Sequence, residues 1–321
     1  MKKIIGIGNA LTDVLFQISD NQPLEQFSLP KGSMQLINTE LSSLIQSTLS
    51  NLPREMVAGG SAANTVNGIA CLGGHVGFIG KVGDDEIGRF YLEDLAHNGV
   101  SASMITSDMP SGNCTVLISP DGERTMCTYL GAASELKADD LSADQFEGYA
   151  LLHIEGYLVN DYELIETAVK LAKQQGLMVS IDLASYNVVD ANKDFLKYLI
   201  QDYVDIVFAN EEEAKSLTGK APREALDEIA EMCAVAVVKE GVKGSYVKTM
   251  GKIWHIDAVK AYCVDTTGAG DLYAAGFLYG WTCGCGWEQC GEIGSLVAAK
   301  TVEVVGPKLQ KDTWDYIKSN I

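Results

Sequence analysis

From Ala150 onward, short apolar runs alternate with stretches of helical spacing. Leu151–Ile154, Met178–Asp182, Ile206–Ala209 and Val235–Lys239 read as strands, and helices are expected near Asp161–Gln175 and Lys193–Gln201. Strands joined in series through helices return to the same end of a sheet, so the alternation predicts βαβ units and a parallel sheet. Lys3–Ile7 at the start of the chain has the same apolar character. Ligands of open parallel sheets bind off the carboxyl ends of the strands, which directs attention to the residues that follow each run.

After Lys3–Ile7 come Gly8–Asn9–Ala10–Leu11–Thr12–Asp13, read as a loop in which Asn9 and Asp13 are placed for polar contact. Gly6-x-Gly8 does not continue as a dinucleotide fingerprint, because position 11 is Leu and no helical pattern follows. A second glycine-rich loop, Ala58–Asn64, opens a helix with Ala63, Val66 and Ala70 on its apolar face; Gly73–Gly74 stops it before the strand His75–Ile79. Gly59–Gly60 serves either tight helix–strand packing or close approach of backbone to a ligand, and the Asn64 amide can donate and accept. The acidic run Gly83–Gly88 suits the first turn of a helix reaching about Asn98. Asn210–Glu213 is either another acid-rich helix start or a polar site for a metal-bound phosphate. Lys239 ends its strand, and Gly241–Gly244 forms a turn beyond it.

The stretch Val264–Asp271 carries the sharpest chemical signal. Lys252–Val264 reads as a strand leading in, and Leu272, Ala275, Gly276 and Tyr279 recur at helical spacing, so a helix starts near Gly270. A small-residue turn into a helix N-terminus leaves unpaired N–H groups at the positive end of the dipole, where an anion fits. Asp271 is a carboxylate beside a site suited to negative charge. It is either an N-terminal cap or a base that takes a proton from a hydroxyl during phosphoryl transfer.

Elsewhere, Phe16–Ile37 reads as an irregular flap, and Ser103–Ile118 and Thr125–Leu130 as strands about the turn Pro120–Glu123, with Arg124 leaving it. A last helix is expected over Trp287–Val305, ended by Gly306–Pro307. No repeat or low-complexity linker divides the 321 residues, which predicts one core with an inserted flap. With 24 basic against 43 acidic residues the net charge is −19, which argues against nucleic acid or an anionic membrane as partner. No apolar run is long enough to span a bilayer, and a cytoplasmic protein is expected. Cys283, Cys285 and Cys290 cluster without a nearby histidine or a zinc-ligand spacing, so reduced thiols are expected.

Together, Gly59–Gly60-x-x-x-Asn64 and Asp265–Thr266–Thr267–Gly268–Ala269–Gly270–Asp271 resemble the two signatures of the ribokinase (PfkB) family of ATP-dependent sugar and nucleoside kinases. The resemblance spans the chain. It implies a three-layer α/β/α sandwich as a single domain, with a β-sheet lid from about residues 12–38 and 100–130. It also implies Asp271 as catalytic base, and Gly268, Ala269 and Gly270 as the anion hole for the γ-phosphate. Asn210 and Glu213 match an NxxE element linked to Mg²⁺ and phosphate. Thr267, Lys239, Gly241 and Gly244 fall on the nucleotide side, although Lys239 stands where a small hydroxyl residue is common. Asp265, Thr267 and Gly306 match a K⁺ site found in some relatives. On the acceptor side the resemblance implies Asp13 on neighbouring sugar hydroxyls, with Asn9, Gly59, Gly60 and Asn64 around it. Ser61 in place of lysine, and Asp121–Arg124 leading into Tyr129–Ala132, look more like adenosine kinases, where the residue matching Arg124 contacts the phosphate. Met34 and Gln35 would then cover the base. The implied partners are ATP and a small-molecule acceptor, with adenosine ahead of ribose, fructose or inosine. Lid-mediated homodimers occur in some relatives and not in others. A sensor without catalysis is opposed by the intact Asp271 and anion hole.

Overall fold

The computed structural model describes residues 1–321. Its strands are β1 (Lys3–Ile7), β2 (Leu11–Gln17), β3 (Met34–Leu36), β4 (Arg54–Gly59), β5 (His75–Gly83), β6 (Val100–Ser107) and β7 (Asn113–Ile118). They continue with β8 (Arg124–Tyr129), β9 (Leu151–Glu155), β10 (Met178–Asp182), β11 (Ile206–Asn210), β12 (Val235–Lys239), β13 (Ser245–Thr249) and β14 (Lys252–Ile256). Nine of them form one sheet in the order β14-β13-β12-β11-β10-β9-β1-β5-β6, parallel from β6 to β12 and finished by the antiparallel strands β13 and β14.

Alternation of side chains along each strand splits the apolar residues between two faces. Ile4, Leu151, Phe208 and Val237 pack with the helices Ser61–Leu72, Ala269–Cys283 and Trp287–Thr301. Ile5, Leu152, Val207 and Val238 pack with Tyr162–Gln174, Tyr186–Asp202 and Pro222–Met232. The two clusters hold 34 and 32 buried residues, so both faces are covered almost equally, as a parallel sheet requires. The result is the three-layer α/β/α sandwich with a smaller second sheet.

That second sheet has the order β3-β8-β7-β2-β4. Val14, Phe16, Leu117 and Cys127 line one face and pack with Ile45 and Leu49 of the helix Thr39–Thr48 and its end. The opposite face carries Asp13, Cys114, Val116, Arg124 and Met126, placed there by the strand register.

Several boundaries differ from the sequence reading. The strand expected over Lys252–Val264 ends at Ile256, and the Val264 and Asp265 amides both donate to the Val302 carbonyl instead of a neighbouring strand. Ser103–Ile118 is two strands: Val100–Ser107 is the edge of the large sheet, and Asn113–Ile118 belongs to the small one. The break contains Gly112, where a Cβ would lie 2.5 Å from the Leu130 carbonyl oxygen. Residues 100–130 therefore divide between the two sheets, while β4, outside both expected lid segments, supplies an edge of the small sheet. Gly8–Asp13 is loop only as far as Ala10, since β2 starts at Leu11. The irregular flap contains the short helix Gln22–Gln26 and β3. Lys193–Gln201 is the second half of Tyr186–Asp202, whose backbone is non-helical at Asn192 (φ −126°), so the periodicity restarts there. The last long helix stops at Thr301. The helices Thr39–Thr48, Pro222–Met232 and Lys311–Lys318 have no counterpart in the sequence reading. No helix is long and apolar enough to cross a membrane.

Candidate active site

The register of the large sheet brings Glu155 opposite Asp182, and Asn210 opposite Lys239, at the carboxyl ends of β9 to β12. Glu155 and Asp182 are almost fully buried, on the face that also carries the helices Ser61–Leu72 and Ala269–Cys283. Charged side chains under a packed layer need partners, and here they find one another or a helix end. Lys239 Nζ lies 2.8 Å from Asp182 Oδ2. Glu155 accepts from the Asn9 side-chain amide, the Asn9 backbone amide and, at 3.2 Å, the Ala62 amide in the first turn of Ser61–Leu72. Burial pushes the Glu155 carboxyl up, against the pull of those donors.

Gly268 precedes the helix Ala269–Cys283 in the left-handed region (φ +73°), and a Cβ there would lie 2.5 Å from Pro307 Cβ. Both constraints explain glycine. The Ala269 amide donates to the Thr266 carbonyl at 3.1 Å, closing a turn, so it is not part of an open cradle. The Gly268, Gly270 and Asp271 amides have no acceptor within the protein. Asp271 is fixed from the neighbouring helix: Ser61 Oγ donates to Oδ1 at 2.7 Å and Asn64 Nδ2 to Oδ2 at 2.9 Å. Thr65 Oγ1 adds a bond to the Asp271 carbonyl at 3.1 Å. Burial raises the Asp271 carboxyl to about 7, with Asp182 adding to the rise and the two hydrogen bonds and Lys239 opposing it. Asp271 is not the side-chain cap of its own helix.

On the small sheet, burial raises Asp13 to about 6, opposed by Arg124 and Lys308. A Cβ on Gly59 would meet Asp13 Oδ2 at 3.3 Å, and one on Gly60 (φ +95°) would lie 2.2 Å from the Asn9 carbonyl oxygen. Asn9, expected beside the acceptor, donates its backbone amide and one side-chain N–H to Glu155. Gln35 pairs in register with Cys127 and so lies on the face turned to the Thr39–Thr48 helix, whereas exposed Met34 and Leu36 share the Asp13 face. Arg124 Nη1 reaches Asp265 Oδ2 at 3.3 Å and ties the small sheet to the loop before Ala269.

The pfkB family carbohydrate kinase model matches residues 34–314. The chain belongs to that family. It is 34% identical to a probable sugar kinase from Rhizobium etli, with a TM-score of 0.87 over 99% of this chain and 98% of that one. It is 33% identical to the adenosine kinase of Sinorhizobium meliloti, with a TM-score of 0.86 over 100% and 99%. A 5-dehydro-2-deoxygluconokinase of Lacticaseibacillus casei is 31% identical over 75% of this chain and 79% of its own length. This pfkB kinase is a phosphotransferase with an alcohol group as acceptor.

Other expected site residues of the pfkB kinase are placed as follows. Asn210 Oδ1 accepts from the Glu212 and Glu213 amides, and the Glu213 carboxylate accepts from the Asn210 backbone and side-chain amides, so the two form a reciprocal helix cap. Burial and Asp182 raise Glu213 to about 7. No three metal-ligating side chains converge, so a Mg²⁺ ion here would take most of its ligands from water and phosphate. Glu213 and Asp182 are the carboxylates at hand, which suits that limited role. Asp265, Thr267 and Gly306 do meet, but through donors turned onto the carboxylate: the Thr267 amide and hydroxyl at 2.9 and 2.7 Å, and the Gly306 amide at 2.8 Å. Those bonds hold Asp265 below the usual carboxylate range and knit the loop, and a cation is not needed to explain the cluster. Gly241 and Gly244 bracket a short turn, both at positive φ. Glu155 was missed by the sequence reading. Its signal was there: a carboxylate ending the wholly buried strand LLHIE, where a ligand or a helix end must answer it.

Proposed function

We propose that this pfkB kinase transfers the γ-phosphate of MgATP to the 5′-hydroxyl of adenosine, giving AMP. The observation that carries the choice of acceptor is the Asp13 face of the small sheet. The Asp13 carboxylate stands among Leu11, Leu15, Val57, Val116, Met126 and Met34, with exposed Glu55 and the cation Arg124 farther along the same face, as the strand register dictates. A carboxylate accepts two neighbouring ribose hydroxyls, and the apolar surround suits a flat base better than a free sugar. Likeness to the Sinorhizobium meliloti enzyme over the full chain supports the same reading.

In this mechanism Asp271 takes the hydroxyl proton as the oxygen attacks, and Ser61 and Asn64 keep the carboxylate in line. The Gly268, Gly270 and Asp271 amides face the charge that spreads over the transferring phosphate. Mg²⁺, held near Glu213 and Asp182 through water and phosphate, would neutralise the nucleotide's charge. Closing of the small sheet over the acceptor excludes water, and Arg124 leaves Asp265 for the phosphate. Asp271 must be ionised to act, so turnover falls as pH drops through about 7.

A sugar-acid or sugar acceptor is the second reading, favoured by the 31% identity to a 5-dehydro-2-deoxygluconokinase. ADP release measured with adenosine, inosine, ribose, fructose and 5-dehydro-2-deoxygluconate in separate reactions decides between them. Turnover with adenosine alone is expected; turnover with a sugar and none with adenosine overturns the acceptor and keeps the chemistry.

A further inference from the structure

Lys239 is a largely buried ammonium with more donors than the protein satisfies. Its side chain ends β12, and its one hydrogen bond is the 2.8 Å contact to Asp182 Oδ2. An ammonium has three N–H donors, so two are left without a protein acceptor. Burying unmatched donors is costly, and the position shows what would match them. A Cβ built on Gly270 would come within 3.1 Å of Lys239 Nζ, so the ammonium lies against the first turn of Ala269–Cys283, beside the unpartnered amides.

The charge around this point makes the need sharper. Asp182 bonds the ammonium directly, and Glu213 and Asp271 are the other carboxylates whose charges reach it. Arg124, the other cation near the cradle, is bound to Asp265. A nucleotide polyphosphate therefore approaches three carboxylates and one cation whose bonds are incomplete.

We infer that Lys239 is a catalytic residue whose ammonium donates directly to the transferring phosphate while keeping its bond to Asp182. The inference rests on the phosphotransferase reading above but not on the identity of the acceptor. Lysine suits this place because a point charge on a flexible stem follows the phosphate as it moves. Asp182 then acts as a positioning residue, since it holds the stem under the helix end.

The test combines turnover with binding of inorganic tripolyphosphate in the presence of magnesium, followed by calorimetry. Lys239→Met keeps the length and removes the charge. It is expected to lower kcat by about 100-fold and weaken tripolyphosphate by about 10-fold, with adenosine binding in the absence of nucleotide unchanged. Lys239→Arg should recover part of both. A merely structural lysine would behave differently, because its loss strands Asp182. The double variant Lys239→Met/Asp182→Asn removes both buried charges and would then restore turnover. The phosphate contact predicts that it stays as slow as Lys239→Met. Recovery in the double variant, or full tripolyphosphate affinity in a folded Lys239→Met, overturns the inference. A wild-type protein that binds tripolyphosphate through Lys239 yet phosphorylates none of the acceptors tried would refute the adenosine reaction and leave this contact standing.

Discussion

Two helices with glycine-led N-termini lie side by side in this molecule and use the same local chemistry to opposite ends. Ser61–Leu72 and Ala269–Cys283 pack so closely that a Cβ on Gly68 would meet Ala275 Cβ at 2.7 Å and Leu272 Cδ1 at 2.8 Å. Each follows a glycine at positive φ, Gly60 at +95° and Gly268 at +73°. Each presents free amides at the positive end of a dipole. At the first, Glu155 fills the anion position from within the protein. At the second no acidic side chain does so, and the amides and Lys239 are left for an external anion. A glycine-led helix start is thus a socket whose use depends on what the rest of the fold puts beside it. Here the decisive group is a carboxylate 93 residues downstream of Ala62.

The largest expected effect comes from neutralising Asp271, the carboxylate in the first turn of the helix that forms the open socket. Asp271→Asn should lower kcat by about 10³-fold or more, with adenosine and nucleotide binding largely kept. A folded variant with near-normal turnover would remove Asp271 from the reaction. On the acceptor side, Asp13→Ala should raise the adenosine KM by about 30-fold and change kcat less, since two hydrogen bonds to a charged group are lost. An unchanged KM would take Asp13 out of the pocket.

The internally filled socket is tested by Glu155→Gln. The substituted amide turns a donor toward Asn9 or Ala62, and the variant should lose about 2 kcal/mol of stability, read by urea denaturation. It should also lose some turnover, because Ser61 and Asn64 ride on the same helix. If tripolyphosphate bound more tightly to Glu155→Gln at a second site, the two sockets would be equivalent once emptied.

The smallest effect is on stability alone. Burial raises the folded Asp271 to about 7, from an ordinary value of 3.8, so the folded protein holds this proton more tightly than the unfolded chain. The ionised form therefore destabilises the fold progressively as pH climbs toward and through about 7. Asn imitates the neutral form, so Asp271→Asn should raise the melting temperature more at pH 8 than at pH 5. An equal shift at both would mean that the carboxylate is not penalised by burial.

The layered core was legible because strands such as Met178–Asp182 and Val235–Lys239 are apolar runs bounded by charge, and their limits come out as read. The helix start that carries Asp271 was legible because the glycines around it and the apolar run after it are adjacent in sequence. The small sheet was not. Its strands are short, its edge strand β3 leaves Met34 and Leu36 exposed, and β3 and β8 pair across about 90 residues, so no local period announces them. Gln35 shows the cost: one residue from Met34, it lies on the opposite face, and only the register reveals that. Ala269 is a second case, since a turn bond to Thr266 removes its amide from a cradle that its position in the motif suggests. Glu155 required knowing that β1 and β9 are neighbours, which the sequence does not state.

All five strands of the small sheet come from residues 11–129, whereas Asp182, Lys239 and Asp271 lie in the later part of the chain. In the proposed reaction the first 130 residues therefore choose what is phosphorylated and lend Arg124, while the remainder supplies the other groups that handle the phosphate. A lineage could remodel its diet of acceptors by drift in the first segment while the second stayed under constant selection. The Arg124–Asp265 ion pair and the bonds from Ser61 and Asn64 to Asp271 are the seams across which such divergence must remain compatible.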